Sequence, residues 1–310
     1  MLRGYGGSKT DFEETRPEGD DPTGDTTFRW NNNFFAKQGY AVVNYTARGF
    51  GNSCGQNDPT RGSPPCSNHR SYVHLADQRW EARDTQHLLA RLADQGVTRP
   101  RAIDVTGISY GGGQSTELAH RRNRVRRLDG SFAAWRSPGG RSLEIAAAFP
   151  RWPWSDLVNS LLPNGRFLDF RAPRLTESRN PLGIKKETYV DALYALGNTT
   201  GTYCGEPPQT GPGPFGCDDF SANLTYYFAR VAAGEPPDAL ARRIANEIFN
   251  HHQGFGLRGV PAPLLMQSGW TDDLFPVSES LRVVQRAARP RPAGRRRPPV
   301  RRHRSPMSLE

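Results

Sequence analysis

Apolar residues fall along this chain in two rhythms, and the alternation between them carries most of the structural information. Residues 40–45 (YAVVNY) form a continuous apolar, β-branched run after Gly39 and before the turn-rich ARGFGNSCG. Such a run predicts a buried strand of a parallel sheet. Residues 76–95 place Trp80, Leu88, Leu89 and Leu92 at spacings of three and four, which predicts an amphipathic helix that Gly96 stops. Residues 102–106 (AIDVT) read as a short strand, followed at once by GISYGGGQSTELAH, a turn into a helix over 112–120. Residues 143–149 (LEIAAAF) and 263–267 (PLLMQ) predict two further strands. Strand, helix and strand in alternation mean an α/β fold with a parallel sheet. The stretch 151–258 breaks the rhythm. It is rich in Trp, Pro, Asn and Gly, with helix-like pieces near 187–196 and 219–233, and it reads as a cap inserted between two sheet strands. The expected organisation is therefore a first core part at 1–150, a cap at 151–258, a second core part at 259–285 and a tail at 286–310. There are no internal repeats.

Composition changes this picture in three places. The chain has 310 residues, enough for one large α/β domain carrying an insertion, and its 32 Gly and 26 Pro predict abundant loops. No apolar run approaches the ~18 residues of a membrane span, and the opening MLRGYGG lacks the pattern of a signal peptide. The net charge is +10, but residues 286–310 alone hold nine Arg and one Glu. The basic character thus belongs to an Arg/Pro tail expected to be disordered, and no nucleic-acid partner is expected. The four cysteines fall into local pairs, Cys54 with Cys66 and Cys204 with Cys217, each bracketing a Gly/Pro-rich loop. They read as two disulfide staples, with four free thiols as the alternative. Their spacing does not suit zinc. Disulfides imply an exported protein, extracellular or in the cell envelope.

The candidate chemistry begins at Gly107-Ile108-Ser109-Tyr110-Gly111, a G-x-S-x-G pattern between a predicted strand and a predicted helix. That context fits a nucleophile elbow with Ser109 as nucleophile. The N–H of Tyr110, the next residue, is then one oxyanion donor. Residues 3–7 (RGYGG) suit a second donor loop, with Tyr5 donating through its backbone N–H or its phenol; the alternative is an ordinary Gly-rich turn. The acid of a triad is expected after a late strand, where SGWTDDLFP offers Asp272 or Asp273, with Asp272 favoured; the alternative is a solvated acidic turn. The base is expected downstream of it, where His303 stands in the Arg/Pro tail. His251 and His252 precede the late strand and are expected to pack within the cap. His69, His74, His87 and His120 have no motif support. Trp152 and Trp154 are candidate pocket walls, or packing residues between cap and core. No metal or cofactor is called for.

Four segments together resemble the X-Pro dipeptidyl-peptidase and cocaine-esterase-like serine hydrolases: GYAVVNYTARGFGNSCG (39–55), GISYGGGQS (107–115), AAAFPRWPWSDL (146–157) and SGWTDDLFP (268–276). The resemblance implies an α/β-hydrolase fold, a mostly parallel sheet with helices on both faces and an inserted helical cap. It also implies a Ser-Asp-His triad acting on a small ester or peptide substrate, with Asp272 at the family's acid position and Tyr5 at its oxyanion tyrosine. Two departures stand out. The chain opens almost on the early loop, with Arg3 where a His is common, and the family's late Gly-His segment is replaced by RPRPAGRRRPPVRRHRS. These features are expected of a truncated and frameshifted hydrolase. The rival expectation is a catalytically impaired remnant of the fold without a positioned His.

Overall fold

The structure, a computed structural model, describes residues 1–20, 27–67, 70–163, 182–205, 213–234, 238–254 and 259–288. His69, His303 and nearly all of the predicted tail lie outside the described residues.

The sheet is built around two parallel strands, β1 (Ile103–Ile108) and β4 (Ile145–Arg151), paired from Ile103 opposite Ile145 to Ile108 opposite Arg151. Between them in the chain lie a helix, α4 (Tyr110–Arg121), and a short antiparallel hairpin, β2 (Arg124–Arg126) and β3 (Phe132–Ala134). Isolated parallel bridges extend the β1–β4 pair on both sides. Leu2 bridges Gly107 on one flank and Tyr45 on the other, while Ala148 and Arg151 of β4 bridge Leu264 and Gln267. The spatial order is thus residues near 45, residues near 2, β1, β4, then residues near 264. In chain order this reads 2-1-3-4-5, a doubly wound order whose switch point lies between the segment at Leu2 and β1.

The flanking segments at 40–45 and 263–267 are less regular than the sequence predicts. The first touches the sheet by one bridge at Tyr45, and Tyr40 is half exposed rather than buried. Among the described residues it is the outermost segment, so one of its edges has no strand to pair with. The second contains Pro263, which has no N–H to offer a ladder.

Side chains alternate across β1. Ile103 and Val105 point into a cluster with α3 (Glu81–Asp94) and with Leu118 and Ala119 of α4, while Ile108 lies with Phe12 and Trp30. Trp30 donates to Thr106 Oγ1 at 3.0 Å on that second face. The predicted helix at 76–95 begins only at Glu81. Leu75 and Ala76 have φ of 54° and 60°, and Ala76 N–H is tied to Glu81 and to the Tyr110 hydroxyl, so the preceding residues form a pinned turn.

The remaining helices are α1 (Asn32–Lys37), α2 (Pro64–Ser67), α5 (Leu157–Leu161), α6 (Glu187–Thr200), α7 (Leu224–Ala232), α8 (Asp238–His251) and α9 (Val277–Ala288). Of these, α6 and α7 fall on the helix-like pieces of the sequence; α8 carries an apolar face that the sequence reading passed over. Leu157, Val158, Leu224, Ile244 and Ile248 from α5, α7 and α8 join Tyr110 and Trp154 in one buried cluster. The segment after β4 therefore packs directly over the start of α4. Glu279 of α9 ties this arrangement to the core by accepting from Ser155 N, Ser155 Oγ and Asp156 N at 2.7–2.8 Å. Both cysteine pairs are disulfides, Cys54–Cys66 and Cys204–Cys217.

Candidate active site

Ser109 leaves the C-terminal end of β1 and caps α4. Its backbone, at φ 54° and ψ −113°, lies in a region that non-glycine residues rarely occupy. This is the sharp strand-to-helix turn that the G-x-S-x-G spacing predicts. The turn is possible because glycines surround it. A Cβ on Gly111 would stand 2.0 Å from Leu2 O, and one on Gly107 would stand 2.3 Å from Gly111 O. Ser109 makes no side-chain capping bond to the helix it begins. Its hydroxyl is therefore left for other work. Tyr110 is the first residue of α4, and such an N–H has no intrahelical acceptor.

The loop 3–7 follows the segment at Leu2, so it emerges beside Ser109 at the switch point. A Cβ on Gly4 would lie 3.8 Å from Ser109 Cβ. The Tyr5 ring packs edge-on against Phe50 and Tyr110, with centroids 4.9 and 5.3 Å away. Its phenol meets the Tyr203 hydroxyl at 2.8 Å, and Tyr203 spends its own proton on Tyr194 O at 3.2 Å. The Tyr5 proton is thus committed to Tyr203. Burial and this neighbour hold the Tyr5 phenol well above the ordinary tyrosine range. Of the two donors the sequence allows at Tyr5, the phenol is occupied. The backbone N–H makes no hydrogen bond among the described residues.

Asp272 and Ser109 line the same cleft, of about 550 Å³, together with Gly4–Gly7, Trp152, Tyr189, Leu196 and the Arg3–Asp11 ion pair. Asp272 is half buried, whereas Asp273 is exposed. Asp272 Oδ1 accepts from Leu274 N and Phe275 N at 3.0 and 2.8 Å, which fixes the turn that carries it. Lys186 holds the same turn by donating to the carbonyls of Asp273 and Leu274. Arg3, the residue standing where a His was expected from the resemblance, is paired with Asp11 at 2.8 Å.

No histidine among the described residues lines this cleft. His251 contacts Glu247 at 2.9 Å, and His252 is buried with Nδ1 2.7 Å from Leu75 O. His120 contacts Thr116 O at 2.8 Å, and His74 stacks between Tyr72 and Trp80. His251 bonds within its own helix, whereas the His252 ring meets Leu75 and Asp77 of the first core part rather than packing among cap residues, and neither lines the cleft.

Beneath Tyr110 lies a residue that the sequence reading missed. Glu81 is fully buried and accepts from His74 N, Ala76 N and the Tyr110 hydroxyl. Burial outweighs these three donors and pushes its carboxyl up to about 7. The available signal was a Glu at the first helical position, but nothing local shows that its partner lies 29 residues on.

Two groups of metal-type ligands occur among the described residues. Asp77, Glu247 and His252 bring ligand atoms within 4.8 Å of one another, but the Arg79 guanidinium bonds both carboxylates, so the position a cation would take is already held by a cation. Cys54 and Cys66, near Asp58, are consumed in their disulfide.

No curated protein matches the chain. A similar solved structure is described as a truncated form of carbohydrate esterase from gut microbiota. It is 11% identical with a TM-score of 0.29, and the match covers 66% of this chain and 53% of that one, so the chain spans about half of its length. Residues 5–133 match the family model of the X-Pro dipeptidyl-peptidases (S15 family). Over the stretch that holds Tyr5, the elbow at Ser109 and the whole of α4, this chain is therefore similar to the S15 family of hydrolases.

Proposed function

We propose that this chain is a serine hydrolase of the α/β-hydrolase fold that cleaves an ester or amide bond through an acyl-enzyme. The observation that carries this reading is Ser109 on its strained turn, facing a cleft shared with Asp272. Ser109 Oγ attacks the substrate carbonyl. The N–H groups of Tyr110 and Tyr5 stabilise the oxyanion, with Tyr5 acting through its backbone. A histidine downstream of Asp272 takes the serine proton and returns it to the leaving group, Asp272 orients that histidine, and water then attacks the Ser109 acyl ester to release the acid and restore the hydroxyl. His303 is the residue of this chain in the required order. Residues 151–258 act as the cap that shapes the pocket, between core parts at 1–150 and 259–285. The two disulfides suit a protein that works outside the reducing cytosol.

A second reading, a hydrolase fold without effective catalysis, is favoured by the absence of a histidine from the cleft among the described residues. Labelling with a fluorophosphonate separates the two. Activated Ser109 gives labelling that disappears in Ser109→Ala. A folded wild type that takes no label loses the hydrolase reading and leaves the second one.

A further inference from the structure

Ser109 opens on two spaces of different character. One is the cleft just described, which contains Arg3, Asp11 and Asp272. The other is a narrower pocket of about 130 Å³ roofed by α5, α6, α7 and α8, with Leu161, Leu193, Phe228, Val231 and Ile244 in its wall. Tyr5, Ser109, Leu274 and Phe275 belong to both.

None of the described residues lining the second pocket carries a charge. Its polar atoms are also largely consumed by the protein. Tyr5 donates to Tyr203, Tyr203 to Tyr194 O, Tyr227 to Phe220 O at 2.6 Å, and Tyr110 to Glu81. The Trp154 indole N–H donates to His252 O at 2.9 Å. Tyr194 is stacked between Tyr203 and Phe228, with centroids 5.2 and 3.9 Å away. A charged ligand group entering here would lose its hydration and find no counter-charge among the described residues, which costs several kcal/mol.

The direction of the reaction decides which half of the substrate goes where. The leaving group must be protonated and must escape to solvent, which places it in the wider cleft on the Asp272 side. The acyl half is left to the apolar pocket. We infer that this pocket is an acyl site for uncharged apolar acyl groups, and that it rejects the free α-ammonium of an unblocked dipeptide. This rests on the assignment of Ser109 as nucleophile and narrows its substrates to apolar acyl esters and amides. A volume near 130 Å³ is close to the ~150 Å³ of an apolar cavity that holds benzene, so the fit is a phenyl-sized group or a chain of about four to six carbons.

Two assays test this on the full chain. In the first, wild-type turnover is compared for p-nitrophenyl acetate, butyrate, hexanoate and decanoate and for glycyl-prolyl p-nitroanilide. The expected kcat/KM rises about fourfold per added methylene up to the pocket's capacity, falls for decanoate, and is absent for the dipeptide. In the second, Ser109→Ala is titrated with butyranilide and with glycyl-prolyl anilide, followed by calorimetry. Butyranilide is expected to bind at least about tenfold more tightly, from two or more buried methylenes. If the wild type turns over nothing while Ser109→Ala keeps this preference, the hydrolase reading fails and the acyl-site assignment falls with it, leaving the pocket as a binding site for uncharged apolar groups. Equal or tighter binding of the dipeptide anilide, binding of neither ligand, or turnover indifferent to chain length overturns the inference.

Discussion

At the scale of single residues, four of the nine non-glycine residues with positive φ among the described residues stand near the candidate site. Ser109, Trp152, Leu75 and Ala76 all have positive φ, and all four lie at or beside the two spaces that meet at Ser109. Each costs roughly 1–3 kcal/mol, a cost that tight surroundings must offset. Part of that support is Glu81, whose carboxyl fixes Ala76 and the Tyr110 hydroxyl together. The carboxyl titrates near 4.5 when unperturbed and at about 7 in the folded protein. The folded state therefore binds the proton more tightly, so this contribution to stability is complete below pH 4.5 and is lost as pH rises through 7. The full span is roughly 3 kcal/mol. Glu81→Gln carries no such proton, so it should gain on the wild type by about that amount between pH 4.5 and 8. Urea unfolding of both proteins at several pH values checks this, and a constant gap between them would contradict it.

At the scale of elements, short covalent ties hold loops that lack regular structure. Cys204–Cys217 spans 13 residues and sits in a small cluster with Tyr72 and Ala222. Cys204 directly follows Tyr203, the partner of Tyr5, so this staple also fixes the wall of the acyl pocket. Replacing Cys204 and Cys217 together by Ser should lower the unfolding free energy by roughly 2–4 kcal/mol, through a freer unfolded loop. Differential scanning calorimetry of the double variant measures it. The elements themselves were unevenly legible. The strand and helix around Ser109, and α6 and α7, follow from spacing and glycine placement within a few residues. The start of α3 at Glu81 rather than at 76 was not legible, because the bonds that pin the preceding turn come from Tyr110.

At the scale of the whole molecule, the sheet leaves an apolar groove of about 750 Å³, walled by Met1, Phe35, Tyr40, Val43, Phe149 and Leu265 among others. Leu265 is 68% exposed and Tyr40 50% exposed. A largely apolar surface of this kind, though interrupted by Arg99 and Asp104, promotes association. Leu265→Glu should therefore lower binding of the dye ANS and raise solubility, while leaving the fluorophosphonate reaction of Ser109 as it is in the wild type. Dye titration, a precipitation assay and labelling of the two proteins give the comparison.

Local grammar was enough to determine some of this protein. The glycine spacing around Ser109 dictates a sharp turn because only residues without Cβ let the chain pass Leu2 so closely, and the cysteine spacing marks two local loops that the structure closes by disulfides rather than leaving as free thiols. The tertiary structure alone decided four other things. It put Leu2 between β1 and Tyr45, Glu81 beneath Tyr110, and Tyr5 against Tyr203, which is 198 residues away. It also assembled a pocket with no charged side chain among its described lining from four helices whose separate patterns show only that each has an apolar side. Periodicity reports which face of an element is buried. It does not report against what, because that depends on contacts between residues far apart in the chain, which leave no repeating mark in either partner's sequence.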